Sequence, residues 1–395
     1  MTPTPAVTTF SGHQWGDVYP QMAARGVLTT GGNCLTVGTT GGYTQGGGHG
    51  VMGPLFGMGA DNMLSVRVVT PDGAIKTVSR CSDPDLFWAL RGGGGGTFGV
   101  AISVTRRLYP APKRLITLSI MWPGVDRLAQ EFVETYLKLV PSLAPAGWGG
   151  YLLSLRDHDS FLVDAIYMGD KSYDAALAVM NPIVEWVHDH QSQLNSDARP
   201  SSIRVQNQTN FWDWHCPGTT EWSQCPASKH VSNNPSEPIG GGLWAVGRMM
   251  QPDAFAPDSV SRYAAHIVDQ TAAGVNLELQ HNWGGAVDTD FDGGNTSVSN
   301  WIRSAVCHNK FSSAWAANAS EAEVPALIRK AEAAAAGLRS LSPESGCYLN
   351  ECSPAEPDWQ SSQWGGRYPR LLEIKRRVDP LGLLRCHHCV GSEEE

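Results

Sequence analysis

The sequence predicts an α+β fold in two parts: a glycine-rich half that wraps a cofactor, and a half in which strands and helices alternate to build an antiparallel sheet with helices on one face. Three observations predict it. Glycine is concentrated between Gly31 and Gly50 and again between Gly92 and Gly99. Pro110-Ala111-Pro112 then marks a boundary, beyond which apolar runs of strand and helix length take turns. With 395 residues, 42% of them hydrophobic and 17% charged, the chain can bury a sizeable core in two domains, or in one with an inserted second.

The first glycine stretch reads Gly31-Gly32-Asn33-Cys34-Leu35-Thr36-Val37-Gly38 and runs on through Gly41-Gly42-Tyr43-Thr44-Gln45-Gly46-Gly47-Gly48-His49-Gly50. Having no Cβ, glycine lets backbone approach a ligand closely, so this density suggests a wrapped cofactor; a glycine-rich surface turn is the alternative. Two Gly-x-Gly-x-x-Gly matches occur, Gly48-Gly50-Gly53 and Gly94-Gly96-Gly99. A dinucleotide fingerprint needs a strand before the glycines and a helix after them. The first match precedes Pro54 and the second runs into a strand, which argues against a Rossmann dehydrogenase.

The first half continues with a strand from Thr9 leading into a helix over Val18 to Arg25, and a hairpin of Val66–Thr70 with Ile75–Val78 across Pro71-Asp72-Gly73. A short helix over Asp85–Arg91 and a strand over Val100–Leu108 complete it. In the second half, strands are expected at Leu115–Met121, Gly150–Leu155, Phe161–Tyr167, Leu243–Met249 and Val275–Trp283. Helices are expected at Val125–Leu139, Tyr173–His190, Pro257–Ala273 and Val324–Leu341, with a last one at Pro369–Val378. Asn195 to Gly242, rich in Pro, Ser, Asn and Trp, reads as one long irregular stretch of the kind that carries function.

A formal net charge of −9 argues against a nucleic-acid partner, which needs clustered Lys and Arg. No apolar run is long enough for a membrane-spanning helix, and Met1 to Phe10 lacks the features of a signal peptide. The fourteen tryptophans fit core packing, with an aromatic or carbohydrate cleft as the alternative. Nine cysteines leave one unpaired, for which Cys34 is the natural candidate; Cys216 with Cys225, or Cys347 with Cys352, can bridge in an oxidising compartment. Cys386-His387-His388-Cys389 has metal-like spacing, but adjacent residues in an extended tail cannot all converge on one ion, so no metal is expected. Asn207, Asn295 and Asn318 are acceptors for glycosylation only on a secretory route.

Cys34 to Gly38, the loop Gly41 to Gly50, Gly59-Ala60-Asp61-Asn62, Asp85-Leu86-Phe87-Trp88-Ala89-Leu90-Arg91 and Gly92 to Gly99 together resemble the berberine bridge enzyme-like family. That family belongs to the vanillyl-alcohol-oxidase type of FAD-linked oxidases. Tyr348-Leu349-Asn350-Glu351, Trp364-Gly365, Tyr368, Asp379-Pro380 and the Cys-His-His-Cys ending resemble the terminal segment of its fungal-type members. The resemblance implies a PCMH-type FAD-binding domain over residues 1–112, a substrate domain over 113–345 and a returning segment over 346–395. Gln14-Trp15-Gly16-Asp17-Val18-Tyr19 resembles the middle of the FAD domain, so its first half, with a flavin-linking histidine, is expected upstream, and His13 is not that anchor. Secretion, as a longer precursor, is the expected localisation.

The same resemblance implies the chemistry. Cys34 forms a thioether to the flavin, which raises its reduction potential, although Leu35 stands where the family usually has proline. Thr36, Val37, Gly38, Gly41, Gly42, Gly46, Gly47, Gly48, His49, Asp61 and Val100 surround the cofactor, and valine at position 37 goes with reoxidation by oxygen. Tyr348, with Asn350 to orient it, is the expected base for an alcohol, a sugar or a secondary metabolite. Its phenol, near 10 by reference, needs donors or positive charge to act at neutral pH. Period-two alternation puts Glu278, Gln280 and Asn282 on one face of their strand and His281 on the other, which makes Gln280 and Asn282 candidates for substrate contact and His281 and Trp283 weak ones. A truncated, catalytically silent relative that binds without flavin is the alternative reading.

Overall fold

The computed structural model describes residues 4–154, 159–194, 201–225, 242–288 and 296–394. The first half opens with β1 (Ala6–Phe10), helix α1 (Trp15–Ala23) and the short β2 (Val27–Leu28). The expected hairpin is β3 (Met63–Val69) with β4 (Ile75–Ser79). Asp72 closes its turn, accepting from the Thr70 hydroxyl at 2.6 Å and from Ala74 N–H at 3.1 Å. Helix α2 (Pro84–Ala89), β5 (Val100–Arg107) and β6 (Tyr109–Pro110) follow, and β6 pairs with β2. The main sheet is antiparallel in the order β1-β5-β3-β4. Its apolar residues Val66, Val68, Val78 and Val104 share a core with Leu86 and Phe87 of α2.

The second half comprises β7 (Arg114–Pro123), α3 (Arg127–Ala146), β8 (Trp148–Ser154), β9 (Ser160–Gly169) and α4 (Asn181–His190). β10 (Ser202–Gln208), α5 (Phe211–His215), β11 (Gly242–Met250), α6 (Pro257–Ala272), β12 (Asn276–Gln280), β13 (Cys307–Trp315) and α7 (Glu323–Leu341) complete it. The seven strands form one antiparallel sheet in the order β10-β7-β9-β8-β12-β13-β11. Phe132 and Tyr136 of α3, Tyr263 and Ile267 of α6 and Leu338 of α7 pack into its main core. Each such side chain contributes about 1.5–3 kcal/mol by leaving water. Alternate residues on the other face are left to form a cleft against the glycine-rich half. The last helix, α8 (Tyr368–Val378), packs back on α2: Arg370 lies 4.2 Å over the Trp88 ring and, with Arg377, pairs with Asp85.

Several elements differ from expectation. Helix α3 runs on to Ala146 because Val140, Leu143 and Ala144 are buried in the core. The helix expected over 173–190 breaks at Ala178–Met180, since Pro182 has no amide to donate and restricts the residue before it. The stretch expected to be irregular holds β10 and α5, and its residues 195–200 and 226–241 lie outside the described residues, as do Leu155 and Asn295. Strand β13 was not foreseen. His308, Asn309, Lys310, Ser312 and Ser313 are all buried within it, so hydropathy does not alternate along it. Instead of one free cysteine there are three, Cys34, Cys81 and Cys307. Among the described residues, no helix is long and apolar enough to cross a membrane.

Candidate active site

The two glycine loops meet at Gln45, whose carbonyl accepts the N–H of Gly92 at 2.9 Å and of Gly94 at 3.1 Å. A Cβ on Gly95 would lie 2.8 Å from the Gly42 Cα, so only glycine permits this contact. A cavity of about 790 Å³ lies beside them, lined among others by Val37, Gly38, Gly41, Gly42, Gln45 and Val100. Gly38, Gly41 and Gly96 have open space where a Cβ would point, and Val100 is 59% exposed. The Gln45 Oε1 is buried without a hydrogen-bond partner. Open backbone, an apolar wall and a spare acceptor suit a flat ring with polar edges, as flavin is.

A second cavity of about 500 Å³ shares Val37, Gly42, Tyr43 and Asn350 with the first. Cys34 lines it with a free thiol, 3.2 Å from the Thr36 hydroxyl. Tyr348 lines it too, and its phenol oxygen accepts from Asn350 Nδ2 at 2.6 Å and from Gly48 N–H at 3.2 Å. Asn350 Nδ2 also donates to the Gly42 carbonyl at 3.1 Å, tying Tyr348 to the cofactor loop. A Cβ on Gly46 would sit 2.7 Å from the Asn350 carboxamide, and Gly48 has φ +76°, so this docking depends on both glycines.

Beneath Tyr348 lies a charged network. Glu351 bonds His49 Nε2 at 2.9 Å and accepts from Gln280 Nε2 at 2.8 Å, while His308 Nδ1 is 3.4 Å and Lys310 Nζ 4.0 Å away. Lys310 pairs with Glu278 at 2.7 Å, and Gln280 Nε2 also reaches Glu278 at 2.9 Å. Burial opposes ionisation of Glu351, but Lys310, His49 and His308 outweigh it and hold the carboxyl well below its usual range. Burial, with the charge of Glu351, pushes the Tyr348 phenol up, against the donors Asn350 and Gly48. Of the donors or positive charge expected at Tyr348, the structure supplies the donors Asn350 and Gly48 N–H, while Lys310 serves carboxylates.

The sequence candidates are distributed unevenly. Val37, Gly38, Gly41, Gly42 and Val100 line the glycine cavity, while Cys34, His49, Tyr348 and Asn350 line the cleft. Gly46, Gly47 and Gly48 touch Asn350 and Tyr348, and Thr36 supports Cys34. Asp61 lines neither cavity. Its carboxylate is occupied by Arg303, at 2.8 and 2.5 Å, and by Met58 N–H at 2.8 Å. Gln280 is fully buried in the network, and Asn282 accepts from Gly150 N–H at 2.8 Å, so neither lines the cleft; the polar side chains that line it include Glu278, Lys310, Asp164 and Glu351. His281 faces the core, with Nδ1 3.1 Å from the Tyr136 hydroxyl. Lys310 and His308 were missed because β13 was, and the consecutive polar residues His308-Asn309-Lys310 offered no period to find it by.

The fold thus sets a glycine-walled slot beside a tyrosine-bearing cleft, an arrangement suited to a flat cofactor next to a small substrate. Residues 3–79 match the FAD binding domain family, and residues 347–391 match the family described as berberine and berberine like. An uncharacterized FAD-linked oxidoreductase of Arthroderma benhamiae is 32% identical over 98% of this chain. The chain spans 65% of that relative, just under two thirds of its length. A VAO-type flavoprotein of Myceliophthora thermophila superposes with a TM-score of 0.83 at 23% identity, covering 98% of this chain and 67% of that one. A glucooligosaccharide oxidase of Acremonium strictum, described as revealing a novel flavinylation, gives 0.75 at 17% identity, covering 99% and 79%. Two segments of the chain thus match flavoprotein families, along nearly its whole length the chain is similar to an FAD-linked oxidoreductase, and the cofactor these matches indicate is FAD.

Proposed function

We propose that this protein oxidises a hydroxyl-bearing small molecule, an alcohol, a sugar or a secondary metabolite, with molecular oxygen as the final acceptor. One observation carries the reading: Cys34, Val37, Asn350 and Tyr348 line one cavity, and Val37 and Asn350 also line the glycine slot beside it. Bound FAD supplies the acceptor for the hydride. Cys34 anchors it covalently; the glycines from Gly38 to Gly42, with Val100, hold its ring. Tyr151, Leu153 and Trp214 give the cleft apolar wall, while Glu278 and Lys310 offer charged and hydrogen-bonding contacts to substrate.

Tyr348 takes the hydroxyl proton as hydride leaves the carbon, and Asn350 and Gly48 N–H hold its oxygen in place. Because its phenol is pushed up, the basic form is scarce at neutral pH and the rate climbs with pH. Val37, on the wall common to both cavities, is placed to govern access of oxygen. Three disulfides suit an oxidising compartment, and secretion is the localisation we propose.

The test is the visible spectrum of the purified protein before and after acid precipitation. Yellow colour in the pellet supports covalent attachment, and a soluble yellow supernatant means bound but unlinked flavin. A colourless protein that also fails to take up added FAD overturns the reading.

A further inference from the structure

Three disulfides cross-link the chain, Cys216 with Cys225, Cys347 with Cys352 and Cys386 with Cys389. Burial separates them. Cys216, Cys225 and Cys347 are buried, at 0, 4 and 0% exposure, Cys352 and Cys389 are half-buried, and Cys386 is exposed. The third bond closes the shortest loop, with a sequence separation of 3 against 5 and 9. A cross-link over so few residues removes little entropy from the unfolded chain, so stabilisation is a weak reason for it.

Its position is more informative. The Cys386-His387-His388-Cys389 turn is closed by Cys389 N–H donating to the Cys386 carbonyl at 3.2 Å, with His388 at φ 55°. His388 is stacked on Trp359 at 4.9 Å, and His387 Nε2 bonds the Pro354 carbonyl at 2.7 Å. An outer cavity of about 500 Å³ is lined by Arg385 and Cys386, while the glycine cavity is lined by Cys389 and Cys352. His387 and His388 line both. Cys386 thus borders the outer cavity and Cys389 the glycine cavity, while both border a third cavity of about 280 Å³.

We infer that Cys386–Cys389 is a thiol–disulfide exchange site, which takes two electrons from a small dithiol in the outer cavity and leaves a thiol at the wall of the cofactor slot. A thiolate of the dithiol attacks the Cys386 Sγ along the open side; the S–S bond breaks, and Cys389 Sγ leaves and takes up a proton. The second thiol of the reductant then attacks the mixed disulfide, closing its own S–S bond and releasing Cys386, which is protonated. The dithiol loses two electrons and two protons, and the cystine gains the same. Attack needs access to sulfur, which the exposed Cys386 offers more than the buried Cys216, Cys225 and Cys347 or the half-buried Cys352.

The test treats the folded protein with limiting dithiothreitol, quenches with an alkylating reagent and maps each cysteine by mass spectrometry. Cys386 and Cys389 are expected to be labelled about tenfold or more ahead of Cys216, Cys225, Cys347 and Cys352. Cross-links that open together, or a Cys386–Cys389 bond that outlasts the others, overturn the assignment. A second arm compares C389S with C386S, each with the exposed thiol Cys81 replaced by serine. With 5,5′-dithiobis(2-nitrobenzoic acid), Cys386 in the first is expected to react about tenfold or more faster than Cys389 in the second. Equal or reversed rates overturn the two-sided placement.

Discussion

The carboxamide of Asn350 donates to the phenol oxygen of Tyr348 at 2.6 Å and, from the same nitrogen, to the Gly42 carbonyl at 3.1 Å. One side chain thus couples the candidate base to the cofactor loop. Replacing Tyr348 with Phe is expected to slow flavin reduction about 10²–10⁴-fold, and Asn350→Ala by about tenfold or more, with substrate binding nearly unchanged. Stopped-flow bleaching of bound flavin over a range of substrate concentrations separates the two effects.

Gly46→Ala places a methyl 2.7 Å from that carboxamide. The Asn350 side chain must move, and the variant is expected to lose roughly 1–3 kcal/mol of stability together with the alkaline-rising rate profile of the parent. Chemical denaturation and a pH–rate series check both.

Cys34→Ala removes the only sulfur lining the cleft among the described residues. Flavin is expected to stay in the supernatant after acid precipitation, with the fold intact by circular dichroism. A covalent adduct unchanged in this variant would refute its assigned role.

Asp61 and Arg303 form a buried pair that braces the glycine-rich half against the segment before β13. Asp61→Asn removes the carboxylate bonded to the Arg303 guanidinium and leaves Asp288 as the nearby acid, and a loss of up to about 3 kcal/mol is expected. Urea titration measures it, and the FAD affinity of the folded fraction is expected to stay close to that of the parent.

Burial brings the His281 imidazole down from 6.5 to about 3. Its folded-state pKa is depressed, so between those values the unfolded chain binds more protons. The stabilisation is complete above 6.5 and is lost as pH falls, by at most about 1.4 kcal/mol per pH unit. His281→Gln is expected to flatten that slope. Denaturant midpoints at about pH 7 and about pH 4.5 show whether it does.

What the sequence disclosed was mostly local. The glycine loops, Cys34 and the Tyr348-x-Asn350 pair are contiguous motifs, and their roles were legible only through their resemblance to a known family. The alternation over 278–282 set Glu278 and His281 on opposite faces, and they do point to the cleft and to α3, yet the contact candidates drawn from it, Gln280 and Asn282, are fully buried and line no cleft. Asp61 read as part of a cofactor motif, yet its partner Arg303 lies 242 residues away and no pattern near Asp61 announces it. Strand β13 was hidden for a different reason. With both of its faces buried, one against α6 and α7 and one in the charged network, polar and apolar residues do not alternate and the period is lost.

The Gly48 N–H that holds Tyr348 is 300 residues earlier in the chain than its phenol. Contacts of that separation carry a large loop-closure cost before they return any free energy, so folding is expected to be slow and to finish with this junction. During synthesis the glycine loops emerge 300 residues ahead of Tyr348 and wait without it and Asn350. The junction between them thus matures late, and competence for oxidation is expected to lag behind compaction of the seven-stranded sheet.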